Sequence, residues 1–124
     1  MIIMTTNLLY NSKLSLEPAQ LNEQYLNEFR DAKFPTYKGS RSVFLHWSQY
    51  KTAMTQFFEW INKPLYSINK EDVESFLETF DNESTKKSKR KLIKVVLVFL
   101  IEENAEFFEQ LTKEQVLWIL QLKG

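Results

Sequence analysis

The sequence contains no cysteine and one histidine, His46, among 124 residues. Without cysteine there is neither a disulfide framework nor a thiolate metal site, and one imidazole cannot build a multi-histidine metal centre. Two glycines and three prolines are too few for the many tight turns of an all-β fold. No segment is long enough and apolar enough to span a membrane. The start, MIIMTTNLLYNSKLSL, lacks the basic region and long apolar run of a signal peptide. These absences fit a cytoplasmic protein with no membrane partner. Net charge is also absent, with 16 basic residues against 16 acidic ones. Acid is missing locally as well: there is no Asp or Glu from Ala32 to Phe58 or from Ser84 to Ile101. Lys33, Lys38, Arg41 and Lys51 occupy the first stretch, and Lys86, Lys87, Lys89, Arg90, Lys91 and Lys94 the second. Two basic segments in an otherwise acidic chain are candidates to converge on one face.

What is present is ample core material: ten Phe, five Tyr and three Trp. The length is that of one small domain, and the apolar content argues against disorder. Residues 1–16 have no clear period and read as an N-terminal arm. Glu17 to Ala32 reads as a helix, with Pro18 in its first turn and Leu21, Tyr25, Leu26 and Phe29 on one face. Pro35 and Gly39 break the loop that follows. Val43 to Asn62 is the second helix. Its stripe of Val43, Trp47, Tyr50, Met54, Phe57 and Ile61 recurs by fours and threes, widened by Phe44, Phe58 and Trp60. Asn69 caps a short helix, Lys70 to Phe80.

Ser84 to Asn104 reads as a helix that starts basic and finishes apolar, capped by Ser84 or Thr85. Its cations sit at the positive end of the helix dipole, where each costs roughly 0.3–1 kcal/mol. Asp81 and Glu83 offset part of that cost, and phosphate is the obvious external anion. The plain alternative is a solvated lysine-rich face. Glu102 to Gln110 either continues this helix or breaks it near Asn104. Thr112 and Gln115 form a capping box for a last helix ending near Lys123. That helix is apolar almost all round, so it either covers the core or meets a partner, and Val116, Trp118, Ile119 and Leu120 are its candidate contact residues. Glu102, Glu103, Glu106 and Glu109 are acids at helical spacing without a His or Asp to complete a metal site, and read as a solvated face.

The order of these elements resembles a known family. Gln49 to Ile61, QYKTAMTQFFEWI, is similar to the core-binding domain of the tyrosine recombinases (phage integrases), with Tyr50, Met54, Phe57 and Trp60 at the matching positions. Ser67 to Leu77, SINKEDVESFL, looks like the family's following helix. The Ser/Thr-rich basic start of the next helix matches in turn, so the likeness covers roughly Leu21 to Asn104. The chain departs from the pattern at His46, where the family has Ser or Thr, which shifts the expected cap of the second helix to Ser42.

The resemblance implies an all-α, four- to five-helix SAM-like bundle spanning 17–104, with 105–124 as a C-terminal helical element available for interaction. It implies DNA binding without catalysis, because the family's catalytic arginine–lysine–histidine–arginine set and nucleophilic tyrosine are not in this sequence. Carried over residue by residue, Ser48, Lys51, Thr52 and Thr55 with Lys86, Lys87, Lys89, Arg90 and Lys94 meet double-stranded DNA, joined by Lys38 and Arg41 of the first acid-free stretch. Arg90 is the candidate for a base edge, since a guanidinium pairs bidentately with guanine. The expected role is a regulator or accessory factor of a phage or other mobile element, with no cofactor. The alternative is an interaction module that binds itself or a full-length integrase-like protein. Trp47, Tyr50, Phe57, Ile61, Phe76, Leu77, Leu92, Val96, Phe99 and Leu100 are the predicted core.

Overall fold

Helix caps in this chain are local and specific, and they set where each element begins. The computed structural model describes residues 16–122; the expected arm, apart from Leu16, and the end of the last helix at Lys123 lie outside them. Six α-helices follow in order, and there is no strand among the described residues. They are α1 (Pro18–Lys33), α2 (Arg41–Ile61), α3 (Lys70–Leu77), α4 (Glu83–Glu103), α5 (Ala105–Glu109) and α6 (Lys113–Gln121), with a 3-10 turn at Leu65–Ser67 between α2 and α3.

Several boundaries differ from the sequence expectation for identifiable reasons. The cap of α4 is Asn82, not Ser84 or Thr85: its side-chain oxygen accepts from both of their N–H groups, at 2.7 and 3.2 Å. An amide oxygen reaches two orphan donors where a hydroxyl usually serves one. The cap of α2 is Ser40, not Ser42; it accepts from Val43 N–H at 3.4 Å. The α3 helix stops at Leu77, short of Phe80, because Thr79 and Phe80 turn their N–H groups to the i−3 carbonyls and the Thr79 hydroxyl takes Phe76 O at 2.7 Å. Among the described residues the count is six helices, not four or five. Asn104 breaks the long helix with an extended backbone and caps α5, accepting from Phe107 N–H at 2.9 Å. The capping boxes Asn69/Asp72 and Thr112/Gln115 are both formed. Asn62 ends α2 in the left-handed region (φ 48°), a conformation asparagine tolerates better than most residues.

The apolar half of α4 runs through the middle of the molecule and packs on all five other helices. Ile93, Val96, Leu97 and Leu100 are wholly buried there. Around them sits an aromatic core: the Phe29 ring lies 5.0 Å from Tyr50 and 5.4 Å from Phe99, and Phe57 lies 5.2 Å from Phe76. Eight of the ten predicted core residues are buried; Ile61 and Leu92 pack against the core but keep partial exposure. Phe44 and Trp60, expected to widen the α2 stripe, are half exposed, although the Trp60 ring lies 6.4 Å from Phe76 of α3. Phe107, Ile119 and Leu122 belong to the same cluster, so α5 and α6 fold onto one core with the rest.

Polar ties hold the periphery. Asn22, the buried polar residue of the described chain, donates to Lys63 O (3.0 Å) and accepts from Leu65 N–H (2.8 Å), fixing α1 to the turn after α2. The Gln115 amide donates to Tyr66 O and Ile68 O, fixing α6 to the same turn. Asn104 donates to Glu28 at 2.7 Å, joining the α4–α5 corner to α1. Among the described residues one buried side-chain polar atom has no hydrogen-bond partner, the Tyr25 hydroxyl. Its ring packs edge-on against Phe107, and burial, with Tyr66, Glu106 and Glu28 nearby, pushes the phenol well above the ordinary tyrosine range. Removing a buried hydroxyl that bonds nothing removes only its desolvation penalty. Tyr25→Phe should therefore unfold at the same or a higher denaturant midpoint, with a gain of up to about 1 kcal/mol. A loss of that size in an equilibrium urea titration would mean that the hydroxyl has a partner.

Candidate nucleic-acid interface

The first acid-free stretch folds into one surface. The loop between α1 and α2 places Tyr37 under two cations, with the Arg30 guanidinium 5.2 Å and the Lys38 ammonium 5.8 Å from its ring centre. Tyr37 also meets Trp47 at 6.2 Å. From there α2 runs antiparallel to α1, and the two helices leave a groove of about 640 Å³ between them. Its walls include Leu26, Arg30 and Tyr37 on one side and Phe44, Trp47, Lys51, Thr55 and Phe58 on the other. A shallower depression on the outer side of α2 is lined by Ser48, Lys51, Thr52 and Thr55. Lys38 and Arg41 border a third, which shares Tyr37 and Phe44 with the groove. The structure thus brings together Lys38, Arg41, Ser48, Lys51, Thr52 and Thr55. The Ser48 hydroxyl donates to Phe44 O at 2.9 Å, so its hydrogen is already engaged. Arg41 and Lys51 are exposed and make no ion pair among the described residues.

The basic start of α4 is different. Of the cations expected to meet DNA there, Lys86, Arg90 and Lys94 have partners within the protein. Lys86 bridges Glu78 (3.5 Å) and Glu83 (3.2 Å); its hydrogen bond to Glu83 is the main cause of a raised pKa. Arg90 pairs with Glu74 of α3 at 3.1 Å. Lys94 donates to Leu122 O at 2.6 Å, beyond the end of α6. Lys89 lies over the Phe80 ring at 5.8 Å. Lys87 and Lys91 remain exposed and without an ion pair among the described residues. The reason is topological: α3 and α4 are consecutive and packed, so the acids of one stand beside the bases of the other. None of the α4 lysines lines the depressions on α2.

Arg90 and Lys94 therefore have structural partners. Lys94→Glu would set a carboxylate against the Leu122 carbonyl and lose a charge-assisted bond worth roughly 1.5–3 kcal/mol. The expected result is a lower melting temperature and faster amide exchange in α6, read by hydrogen–deuterium exchange. Arg90→Ala should cost about 1 kcal/mol or less, since its ion pair is partly solvated. Equal exchange in wild type and Lys94→Glu would contradict the assignment of Lys94.

On α6 the inward side carries Gln115, Trp118, Ile119 and Leu122. Ile119, expected at a partner surface, is buried in the core, and Val116 and Trp118 are partly covered. The residues left in solvent are Leu120, at 50 % exposure, and Leu117, at 60 %, which the sequence reading did not single out. Leu117 and Leu120 are three apart and so share the outer face. His46 meets Phe34 edge-on (5.1 Å) and Tyr50 at a tilt (5.7 Å). Among the described residues no group of three or more His, Cys, Asp or Glu side chains is placed to hold a metal ion, and no helix is long and apolar enough to cross a membrane.

The groove is not legible in the sequence, because Phe44 reads as part of the α2 core stripe and Tyr37 lies in the loop before it. Asn22 could have been found: it sits one residue after Leu21 within an apolar stripe, where a polar side chain needs a buried partner. No protein-family model, curated protein or solved structure matches the chain.

Proposed function

We propose that this chain is a non-enzymatic DNA-binding module whose helices follow the plan of the integrase core-binding, SAM-like bundle, and that it acts as a regulator or accessory factor of a mobile element. The observation that carries this reading is the exposed face of α2. Lys38 in the loop before α2, and Arg41 and Lys51 on α2, make no ion pair among the described residues and stand with Thr52 and Thr55 in a stretch with no acid from residue 32 to 58. Free cations with interspersed hydroxyls suit phosphate contacts that position a duplex. Lys87 and Lys91 add to this as a second, separate contact. Arg90 is reassigned from base reading to the α3–α4 ion pair, which leaves base selection to the α2 face.

The experiment is titration of a labelled mixed-sequence duplex with the purified chain at low salt, followed by anisotropy. Saturable binding that Arg41→Glu weakens supports the proposal; no binding refutes it. A partner-binding role is favoured by one specific observation, the exposed pair Leu117 and Leu120 on α6. If DNA binding fails while Leu117→Asp changes the sedimentation coefficient, that second role takes its place.

A further inference from the structure

The α1–α2 groove is polarised along its length. Near the α2 N-terminus its lining is aromatic and basic: Tyr37, Phe44, Trp47, Arg30 and Lys51, with Lys38 and Arg41 in the adjoining depression. At the other end stand Glu23 and Glu59, with Lys63, whose charge is already paired with Asp72 at 2.7 Å. Of the cations, Arg30 is already paired with Asp31 (3.0 Å), whereas Lys38, Arg41 and Lys51 carry unbalanced charge. The Phe44 ring is 48 % exposed and stands open directly beside that charge, whereas Tyr37 is already covered by Arg30 and Lys38 and Trp47 is buried beneath it.

This pairing of chemistries has a specific ligand class. An apolar peptide would be served by the rings and indifferent to the cations. A stacked duplex would use the cations and leave the rings idle, because its base faces are covered. An unstacked nucleotide uses both: its base stacks on a ring, and its phosphate meets the neighbouring ammonium or guanidinium. The groove volume of about 640 Å³ lies in the usual range of small-ligand sites, and the acidic end limits how far a phosphate chain can continue.

We propose that the Tyr37–Phe44–Trp47 end of the groove binds an unstacked nucleotide of single-stranded nucleic acid. The inference rests on the DNA-binding role proposed above and adds a second ligand form, handled by the rings and not by the phosphate contacts alone.

The test compares a short fluorescein-labelled oligothymidylate with a duplex of equal length, by anisotropy at about 50 mM salt, where phosphate contacts are weakly screened. The proteins are wild type, Phe44→Leu and Phe44→Tyr, with melting curves confirming that each is folded. Phe44 is half in solvent, so neither change opens a core cavity. Phe44→Leu should weaken single-strand binding about tenfold, within the range of one base–aromatic stack. Phe44→Tyr should restore it, and duplex affinity should be the same for all three. Single-strand binding that is absent, or unaffected by Phe44→Leu, while the duplex still binds would overturn the groove assignment and leave the duplex role standing. Loss of both ligands in wild type would overturn both.

Discussion

Reversing the charge at Arg41 and Lys51 together, to Glu, should lower affinity for duplex DNA about a hundredfold at low salt and leave the melting temperature unchanged. The magnitude follows from counterion release: each neutralised phosphate contributes a salt-dependent term, and reversal both removes one attraction and adds one repulsion. The stability half of the expectation comes from the structure. Both side chains are exposed and neither makes an ion pair among the described residues, and surface changes of this kind usually stay within about 0.5 kcal/mol. Arg41 stands in the first turn of α2, where an acid suits the helix dipole better than a base. The same reversal at Arg90 or Lys94 would confound binding with folding, because those cations hold α3 and α6 in place. An α2 double variant that melts like wild type and binds as tightly would remove this face from the interface.

The second large effect concerns Asn22. Leucine has nearly the same size and suits the surrounding apolar stripe, but it can neither accept from Leu65 N–H nor donate to Lys63 O. Leu65 is fully buried, so its N–H would be stranded without water. Two orphaned backbone groups cost on the order of 2–4 kcal/mol, and the expected fall in melting temperature is on the order of 10 °C. Calorimetry of Asn22→Leu beside Asn27→Leu, a half-exposed neighbour on α1, separates the amide bonds from a general effect of apolar substitution. A pair of curves that coincide would show that the tie between α1 and the turn contributes nothing.

Much of the fold was legible because helical periodicity and capping are local. The stripe from Trp47 to Phe57 and the boxes Asn69/Asp72 and Thr112/Gln115 need only neighbours within a turn or two. The caps at Ser40 and Asn82 were displaced because several hydroxyl and amide side chains compete within three residues, and backbone geometry, not composition, chooses among them. The site was less legible for a deeper reason. A run of six cations looks like one basic surface, yet whether each is free depends on which acids the fold brings alongside. Glu74 and Glu78 lie many residues from Arg90 and Lys86 in sequence but next to them across the α3–α4 packing. Lys94 finds a backbone carbonyl 28 positions away. Conversely Phe44 reads as core by its spacing but is half exposed on the wall of the α1–α2 groove.

The central claim, that the free cations of α2 contact DNA phosphates, is tested most directly by the salt dependence of duplex binding. Lys38, Arg41 and Lys51 at about −0.9 each give a log–log slope near −3, steepening toward about −4.5 if Lys87 and Lys91 reach the same duplex. The slope should lose about two units in the Arg41→Ala, Lys51→Ala double variant. A flat salt dependence, or no duplex binding by the folded chain at low salt, would contradict it.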